Sequence, residues 1–484
     1  MKEDIFSEIQ LPCGRKVQNR LVKVALYEHL ADFWGGPPNY FHCKLYSKWA
    51  KYGWGMIITG NVQVSNTHLA LGRDMVVPQQ LDEESLAPFR RLALSMHDGE
   101  NTLAIMQLSH AGRQSSNFIG GRFPFVPPYG PSAIPVAAEA PGGLFSLFHK
   151  LMFQTPRAMT LTDIEQTISG FVRGAELAIL SGFDGIQLHV AHGYLLAQFL
   201  SPKANKRTDV YAVGSLTLLR RITTEIRKTA SPNFVLGLKL NTTDYSTVES
   251  TSAQEDRALG HLLTIASWGT IDFVELSGGD YENPDFLSSG HKSSRQAFFA
   301  SFSSKAVQAI STIQTPTPPL ILLTGGLRSP GHLQAALSSR HTHLLGVGRA
   351  SILCPDLPRV LNARLTTDDD DRLFSPFQPD PDTDLKFVHQ RPWSWVWPLV
   401  PKLKLIGGGV QMAWYSIVMR HMAGLGEREE FRVDYSVGGL EAVIRMWLWS
   451  SVEPSSSWWR QRIFLLFIGF LGVLGHYLFY ASWP

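Results

Sequence analysis

The sequence predicts an α/β protein in which eight parallel strands and their connecting helices close into a (β/α)8 TIM barrel, followed by a C-terminal Trp-rich extension and one transmembrane helix. Three observations lead to this prediction. Short apolar segments alternate with amphipathic segments as far as about residue 350, eight of the apolar segments have the length of strands, and the alternation ends after residue 364.

The eight strand candidates are apolar runs of four to six residues, which is the length of a buried strand. They are Val22–Leu26, Met56–Thr59, Leu103–Leu108, Asp184–Leu188, Val235–Leu240, Phe273–Leu276, Leu320–Leu323 and Leu344–Val347. Four of the intervening stretches have apolar residues at helical spacing: Glu83–His97, Asp163–Leu180, Ser215–Thr229 and Ala253–Ala266. Eight strands with helices between them are what a closed barrel requires.

One connection is longer than a simple turn. The segment from Asn117 to Met159 follows the third strand candidate and is rich in proline and glycine. Loops of this length inside a compact domain usually form lids or substrate walls. A disordered insertion is the alternative interpretation.

Composition excludes several classes of protein. A net charge of +3 over 484 residues, without a basic stripe, does not favour nucleic acid as a partner. Cys13, Cys43 and Cys354 are far apart and odd in number, so they predict neither a disulfide framework nor a zinc ribbon. We therefore expect a reducing compartment and no structural metal.

Composition also divides the chain into three regions, which are residues 1–364, 365–460 and 461–484. Four consecutive acids, Asp368–Asp371, and a proline-rich stretch begin the second region and predict a linker. Nine of the thirteen tryptophans follow residue 390. Leu405–Met419 and Ala442–Trp449 are too short to cross a bilayer, so we expect amphipathic helices at the bilayer interface or folded against the barrel base.

The third region contains a candidate membrane anchor. Ile463–Tyr480 is eighteen residues without a formal charge, Ala481, Ser482 and Trp483 extend it to twenty-one, and Arg460 and Arg462 precede it. A helix of this length spans about 30 Å, the thickness of the hydrocarbon layer. By the positive-inside rule the barrel would lie in the cytosol, with the endoplasmic reticulum as one candidate membrane. A buried C-terminal helix is the alternative.

The chemistry concentrates after the fourth strand candidate. His189, His192 and Tyr194 fall within six positions where the apolar run ends, so three side chains that handle protons can converge on one volume. Two histidines at this spacing could bind a metal, but no third ligand or cysteine cluster accompanies them. A satisfied core histidine is the other alternative.

This segment reads HVAHGYL and is followed by FLSP, an asparagine and an arginine. It resembles the signature of the old yellow enzyme family, which are FMN-dependent ene-reductases built on a (β/α)8 barrel, and the resemblance covers about residues 5 to 360. It implies FMN as cofactor, NADH or NADPH as hydride donor and an electrophilic alkene as substrate. His189 and His192 would bind the substrate's carbonyl oxygen, and Tyr194 would protonate the α-carbon.

The resemblance also implies how the cofactor is held. Gln107 would contact the edge of the flavin ring, Gly60 would let the backbone approach it, and Lys239 would place a positive charge beside it, where the family more often has arginine. Tyr27 would line the substrate pocket. Barrels of this class commonly bind phosphate after strands seven and eight, where the chain has Gly325, Gly326, Gly348 and Arg349; tight turns are the alternative for these glycines.

The expected function is therefore hydride transfer from NAD(P)H through flavin to an activated C=C bond, with secondary metabolism as one setting. The competing hypothesis is a catalytically inactive barrel that acts as a membrane-tethered scaffold. Retention of Gln107, His189, His192 and Tyr194 argues against the scaffold. The substrate, the preferred nicotinamide and the oligomeric state remain open at this point.

Overall fold

The structure is a computed structural model of the 484-residue chain. It describes residues 4–97, 101–136, 149–242, 251–277, 292–315, 317–327, 329–365, 377, 380, 381, 409–425, 431–449 and 451.

Eight parallel strands form the centre of the molecule and close into a barrel. They are β1 (Leu21–Lys23), β2 (Met56–Gln63), β3 (Leu103–Ser109), β4 (Gly185–Val190), β5 (Val235–Asn241), β6 (Phe273–Ser277), β7 (Leu320–Thr324) and β8 (Leu344–Val347). Each strand pairs with the next along the chain, and β8 pairs with β1 to complete the circle. All eight predicted strands are confirmed.

Helices cover the outside of the barrel. They are α1 (Tyr40–Ala50), α2 (Glu83–Met96), α3 (Leu161–Leu180), α4 (Leu195–Leu200), α5 (Thr217–Thr229), α6 (Thr251–Ser267), α7 (Lys292–Ser311), α8 (Pro330–Ser338), α9 (Ala350–Leu353) and α10 (Leu357–Leu365). The four predicted helices correspond to α2, α3, α5 and α6. Capping residues fix their starts; for example, the Thr160 side chain accepts from the Asp163 N–H, and the Asp163 carboxylate accepts from the Thr160 N–H.

The amino-terminal half of the barrel interior is a compact apolar plug. It contains the first inward-facing residues of the strands, and a short hairpin, Ile9–Gln10 with Lys16–Val17, adds Leu11 and Val17 beneath them. Gly237 on β5 lies opposite Phe273 on β6, and a Cβ at Gly237 would lie 2.2 Å from the phenyl ring. Because this half is filled, chemistry is confined to the carboxyl ends of the strands.

An irregularity in β2 changes the direction of its side chains near the carboxyl end of the strand. The register between β2 and β3 shifts between Ile58 and Asn61, which is the signature of a β-bulge. Bulges bend a strand and redirect side chains. After the shift, Asn61 lies beside Gln107 on β3, and Gln107 lies beside Gln187 on β4.

The predicted helices of the second region exist, and they pack on the barrel. α11 (Gly409–Gly424) lies against α1, and α12 (Gly439–Leu448) lies against α11. Their partners include His29 and Arg73 in the loops after β1 and β2, and Arg349 after β8. Packing against the barrel was one of the two expectations, but its predicted place, the base, is wrong, because these loops lie at the carboxyl ends of the strands.

The predicted membrane anchor, Ile463–Tyr480, lies outside the described residues. Among the residues that the structure does describe, no helix combines the length and apolar character needed to cross a bilayer.

The long connection after β3 is described at both ends, residues 117–136 and 149–159. Its two ends are joined by a short parallel pairing of Tyr129–Gly130 with Arg157–Ala158. The Tyr129 N–H donates to Nε2 of His68 across 3.0 Å, and the Arg157 guanidinium lies 4.5 Å from the centre of the Tyr129 ring. His68 lies in the loop after β2, so the described ends of this connection pack against that loop.

Candidate active site

His189, His192 and Tyr194 lie together at the carboxyl end of β4. The His189 ring centre is 5.1 Å from that of His192 and 4.5 Å from that of Tyr194, and the tyrosine ring stands edge-on to the imidazole. His189 and Tyr194 are buried, while His192 is partly exposed. The chain turns sharply here because His192 has a φ of 57° and its N–H donates to Oδ1 of Asn241 across 3.1 Å.

Hydrogen bonds assign the protons on the two histidines. The Ala191 N–H points at Nδ1 of His189 across 3.4 Å, so the proton of a neutral His189 resides on Nε2. That nitrogen is 3.3 Å from Nδ1 of His192, and Nε2 of His192 is 2.8 Å from Oγ of Ser277 on β6. Both imidazoles therefore present an Nε2–H, and the chain of donors runs from β4 to β6.

The charge state of His189 follows from its surroundings. Burial, followed by the proximity of His192 and Lys239, holds the pKa of His189 well below its usual value. The side chain is neutral at physiological pH, so it can donate a hydrogen bond without serving as a cationic acid.

Tyr194 is tied to the two preceding strands by a pair of amides. Nδ2 of Asn61 donates to the Tyr194 hydroxyl oxygen across 3.2 Å, and Nε2 of Gln107 donates to Oδ1 of Asn61 across 2.7 Å. Ala70 and Ala111 pack against Tyr194. These contacts and the two amides hold the tyrosine ring in place.

Gly60 lies in the β2 bulge, and its backbone N–H is already engaged. It donates to Oε1 of Glu28 across 2.9 Å and lies 2.8 Å from the hydroxyl of Tyr46, which itself bonds the Glu28 carboxylate. A Cβ at Gly60 would lie 1.8 Å from Oε2 of Glu28. The buried glutamate alone therefore requires glycine here, independently of any cofactor.

Lys239 is next to His189 in the register between β5 and β4. Its Nζ lies 3.0 Å from Oε1 of Glu275 on β6, and both side chains are buried. Glu275 also accepts from Thr324 across 3.0 Å and from Gln187 across 2.8 Å. The positive charge expected at this position is present, but a buried carboxylate neutralises part of it.

The residues expected to hold phosphate follow β7 and β8. Gly325 and Gly326 have φ values of 105° and 73°, which glycine adopts readily. Gly348 precedes Arg349, whose Nη1 donates to Oε1 of Gln411 in α11 across 2.9 Å. The structure thus adds to this group a residue from the C-terminal extension.

Tyr27 lies in the loop after β1, and its hydroxyl donates to the carbonyl oxygen of Gly72. Gly72 belongs to the loop that also carries Ala70, which contacts Tyr194. Tyr27 and Tyr194 therefore lie against the same loop.

Comparison with known proteins decides the family. The model of the NADH:flavin oxidoreductase / NADH oxidase family matches residues 4–368, which is 365 of the 484 residues. The chain belongs to this family. Membership confirms the old yellow enzyme resemblance drawn from residues 189–207, and with it FMN as the cofactor.

Two fungal relatives illustrate the similarity. The NADH-dependent flavin oxidoreductase iliE of Neonectria sp. (strain DH2) is 36% identical over 374 residues, covering 74% of this chain and 47% of the relative. The NADH-dependent flavin oxidoreductase iccE of Talaromyces variabilis is 32% identical over 395 residues, covering 78% of this chain and 91% of the relative. This chain thus spans about half the length of the Neonectria relative.

Solved structures show the same fold. The old yellow enzyme homologue from Zymomonas mobilis superposes with a TM-score of 0.60 at 20% identity, covering 78% of this chain and 98% of that chain. A 2-naphthoyl-CoA reductase superposes with a TM-score of 0.63 at 20% identity, covering 75% of this chain and 53% of that chain.

The site of this flavin oxidoreductase family member fits FMN. Oε1 of Gln107 is buried and has no hydrogen-bond partner among the described residues. An unmatched buried acceptor costs about 1–3 kcal/mol, and a flavin ring N–H is the kind of donor that would match it. Gly325 is exposed with positive φ beside Gly326, which leaves backbone uncovered for a phosphate.

Sequence reasoning missed four residues that the structure places in the site. Asn61 and Glu275 interrupt apolar strands, Glu28 follows β1, and Gln411 lies far along the chain. A polar residue inside an apolar strand is a usable signal, because burying it without a partner is unfavourable. Gln411 offers no such signal.

Proposed function

We propose that this protein is an FMN-dependent ene-reductase that uses NADH or NADPH to reduce an activated C=C bond, as in an α,β-unsaturated carbonyl compound. The observation that carries the proposal is the grouping of two imidazole N–H donors, His189 and His192, with the phenol of Tyr194 beside the unmatched Gln107 acceptor. FMN, which Gln107 and the backbone at Gly325 and Gly326 would hold, would supply hydride transfer from the nicotinamide to the β-carbon of the alkene.

The histidines polarise the substrate. When substrate binds, the Nε2–H of His189 donates to the carbonyl oxygen and no longer to His192. The Nε2–H of His192 can likewise leave Ser277 and donate to the same oxygen. As hydride adds to the β-carbon, electron density moves to this oxygen, where N–H donors stabilise it. A neutral imidazole does this over a wide pH range, because it does not have to gain a proton.

Tyr194 supplies the proton. A phenol hydroxyl can act as a general acid toward a developing carbanion. Because Asn61 donates to the phenol oxygen, the hydroxyl proton is directed away from Asn61. Its transfer to the α-carbon completes the addition of H⁻ and H⁺, and solvent then returns a proton to the phenolate.

Product analysis tests the reaction. FMN-loaded protein, NADH and 2-cyclohexenone should give cyclohexanone in a 1:1 ratio to NADH consumed. In D2O the deuterium should appear at the α-carbon, and deuterium from [4-²H]NADH at the β-carbon. NADH consumption without formation of cyclohexanone would contradict the proposal. A catalytically inactive scaffold would consume neither NADH nor 2-cyclohexenone.

We further propose that residues 461–484 tether the enzyme to a membrane with the barrel in the cytosol. The motive is the uncharged run from Ile463 with Arg460 and Arg462 before it. A chain ending at residue 460 should leave the membrane pellet on fractionation, while Arg460→Ala in the full chain should still sediment with membranes. A truncated chain that still sediments would contradict the assignment.

A further inference from the structure

The C-terminal hairpin, which we define as α11 and α12, is fastened to the barrel by two buried arginines. Arg420 of α11 donates to the carbonyl oxygens of Arg445 and Met446 across 3.2 and 3.0 Å, and Arg73 from the loop after β2 donates to that of Trp449. These carbonyls are the unpaired acceptors at the end of α12, where the helix dipole favours positive charge.

The indole of Trp449 contacts both cations. The guanidinium carbon of Arg420 is 4.4 Å from a ring centre of Trp449, and that of Arg73 is 5.3 Å away. Burial, followed by the neighbouring Arg73, lowers the pKa of Arg420 to about 9. Two like charges in a buried place require these carbonyl and aromatic partners, so the hairpin and the loop after β2 hold each other in position.

Arg420 also fixes the loop after β1. Its Nη2 lies 2.7 Å from Nδ1 of His29 and donates to the His29 carbonyl oxygen across 3.0 Å. His29 is buried with a φ of 57°, and its ring is 5.4 Å from that of Trp447 in an edge contact. A positive φ is uncommon for a residue with a side chain, so outside contacts have to hold it.

These two loops are the ones that contact Tyr27. The Tyr27 ring centre lies 5.6 Å from that of His29, and the hydroxyl donates to Gly72, the neighbour of Arg73. Ala70 in the same loop packs against Tyr194. The hairpin is therefore connected to His29 through Arg420, and to the loop that carries Gly72 through Arg73.

We propose that the C-terminal hairpin is a positioning element for Tyr27 and thereby limits the size of the alkene that the site accepts. This inference rests on the proposed function. The hairpin acts through His29 and Arg73, and its own side chains do not have to touch the substrate.

The test compares two variants and a matched control in the full-length, FMN-loaded chain. Arg420→Ala removes the bond to His29. His29→Gly keeps the left-handed backbone, which glycine tolerates, and removes the ring between Tyr27 and Trp447. Arg445→Ala is the control, because this arginine lies on the same hairpin with a side chain that is 56% exposed and paired with Glu441.

Each protein is assayed for KM and kcat with 2-cyclohexenone and with enones carrying larger ring substituents. We expect Arg420→Ala and His29→Gly to raise KM for 2-cyclohexenone by about tenfold and to improve the relative kcat/KM of the larger enones. The rate of flavin bleaching by NADH should stay unchanged, and Arg445→Ala should match the parent throughout.

A double-mutant cycle separates positioning from general damage. In a Tyr27→Ala background, adding Arg420→Ala should change KM no further, because the intermediary is gone. The proposal would be overturned if Arg420→Ala raised KM equally with and without Tyr27. It would also be overturned if both Arg420→Ala and His29→Gly kept the parent's relative kcat/KM for small and large enones. If Arg420→Ala does not fold, the KM and size preference of His29→Gly test the proposal alone. If the parent reduces no enone, the proposed function fails first, and this inference falls with it.

Discussion

Asn61 joins Tyr194 to Gln107. Its amide nitrogen donates to the Tyr194 hydroxyl across 3.2 Å, and its amide oxygen accepts from Gln107 across 2.7 Å. The residue expected to contact the flavin is therefore two hydrogen bonds away from the proposed proton donor. Because Asn61 and Gln107 are on adjacent strands in register, the barrel itself sets the direction of the phenol.

Asn61→Ala should slow the alkene step while leaving flavin reduction by NADH nearly unchanged. Without the amide the phenol can rotate, and misplacement of a reacting group by about 1 Å can cost roughly 10²-fold in rate. Stopped-flow absorbance measures the two half-reactions separately. Equal slowing of both would show that Asn61 serves the cofactor site as a whole and has no specific effect on Tyr194.

Tyr194→Phe should affect only the second half-reaction. The hydroxyl is needed when the α-carbon takes its proton, after the nicotinamide has given up its hydride. We expect reoxidation by enone to slow by roughly 10²- to 10⁴-fold, the usual size of general-acid catalysis. An unchanged second half-reaction would assign the proton to another group or to water.

The strands of the barrel were predictable because they are short apolar runs separated by amphipathic segments. All eight strands were found, with ends shifted by at most four residues. β1 begins at Leu21 and ends at Lys23, because the chain leaves the sheet there to place Glu28 beneath Gly60. For the glycine at position 60 the structure gives a reason that the sequence did not indicate, which is the close approach of Glu28.

The contacts that complete the site were not predictable, because periodicity carries local information only. Asn61 and Tyr194 are 133 residues apart, and Arg420 and His29 are 391 residues apart. The short apolar segments of the extension predicted amphipathic helices, but the barrel surface expected for them, the base, was wrong. Arg420 reads as an ordinary helix-surface cation, whereas it is buried against the active-site loops.

Breaking the Lys239–Glu275 ion pair should destabilise the folded protein strongly. Removing one partner of a buried ion pair leaves an uncompensated charge and typically costs 3–5 kcal/mol. Glu275→Leu should therefore lower the free energy of unfolding by about this amount in denaturant titrations. Lys305→Ala is the matched control, because the Lys305–Glu255 pair has the same 3.0 Å separation but a largely exposed lysine, so the loss should stay below about 1 kcal/mol. Similar losses in both variants would contradict the account.

Stability should also depend on pH through Asp74. Burial raises the pKa of this carboxyl to about 8, although Gln63 and the Ala70 N–H donate to it. Between pH 4 and 8 the folded chain holds a proton that the unfolded chain has lost, so this group makes stability fall as pH rises. Asp74→Asn should flatten the decline in Tm between pH 5 and 8. A steeper decline in the variant would contradict the raised pKa.

The most direct measurement is an anaerobic absorbance titration of the purified full-length protein. The account predicts a yellow protein whose visible flavin band is bleached by one equivalent of NADH or NADPH and restored by one equivalent of 2-cyclohexenone, with cyclohexanone as the product. A colourless protein that fails to take up added FMN, or a bleached flavin that the enone leaves unchanged, would contradict it.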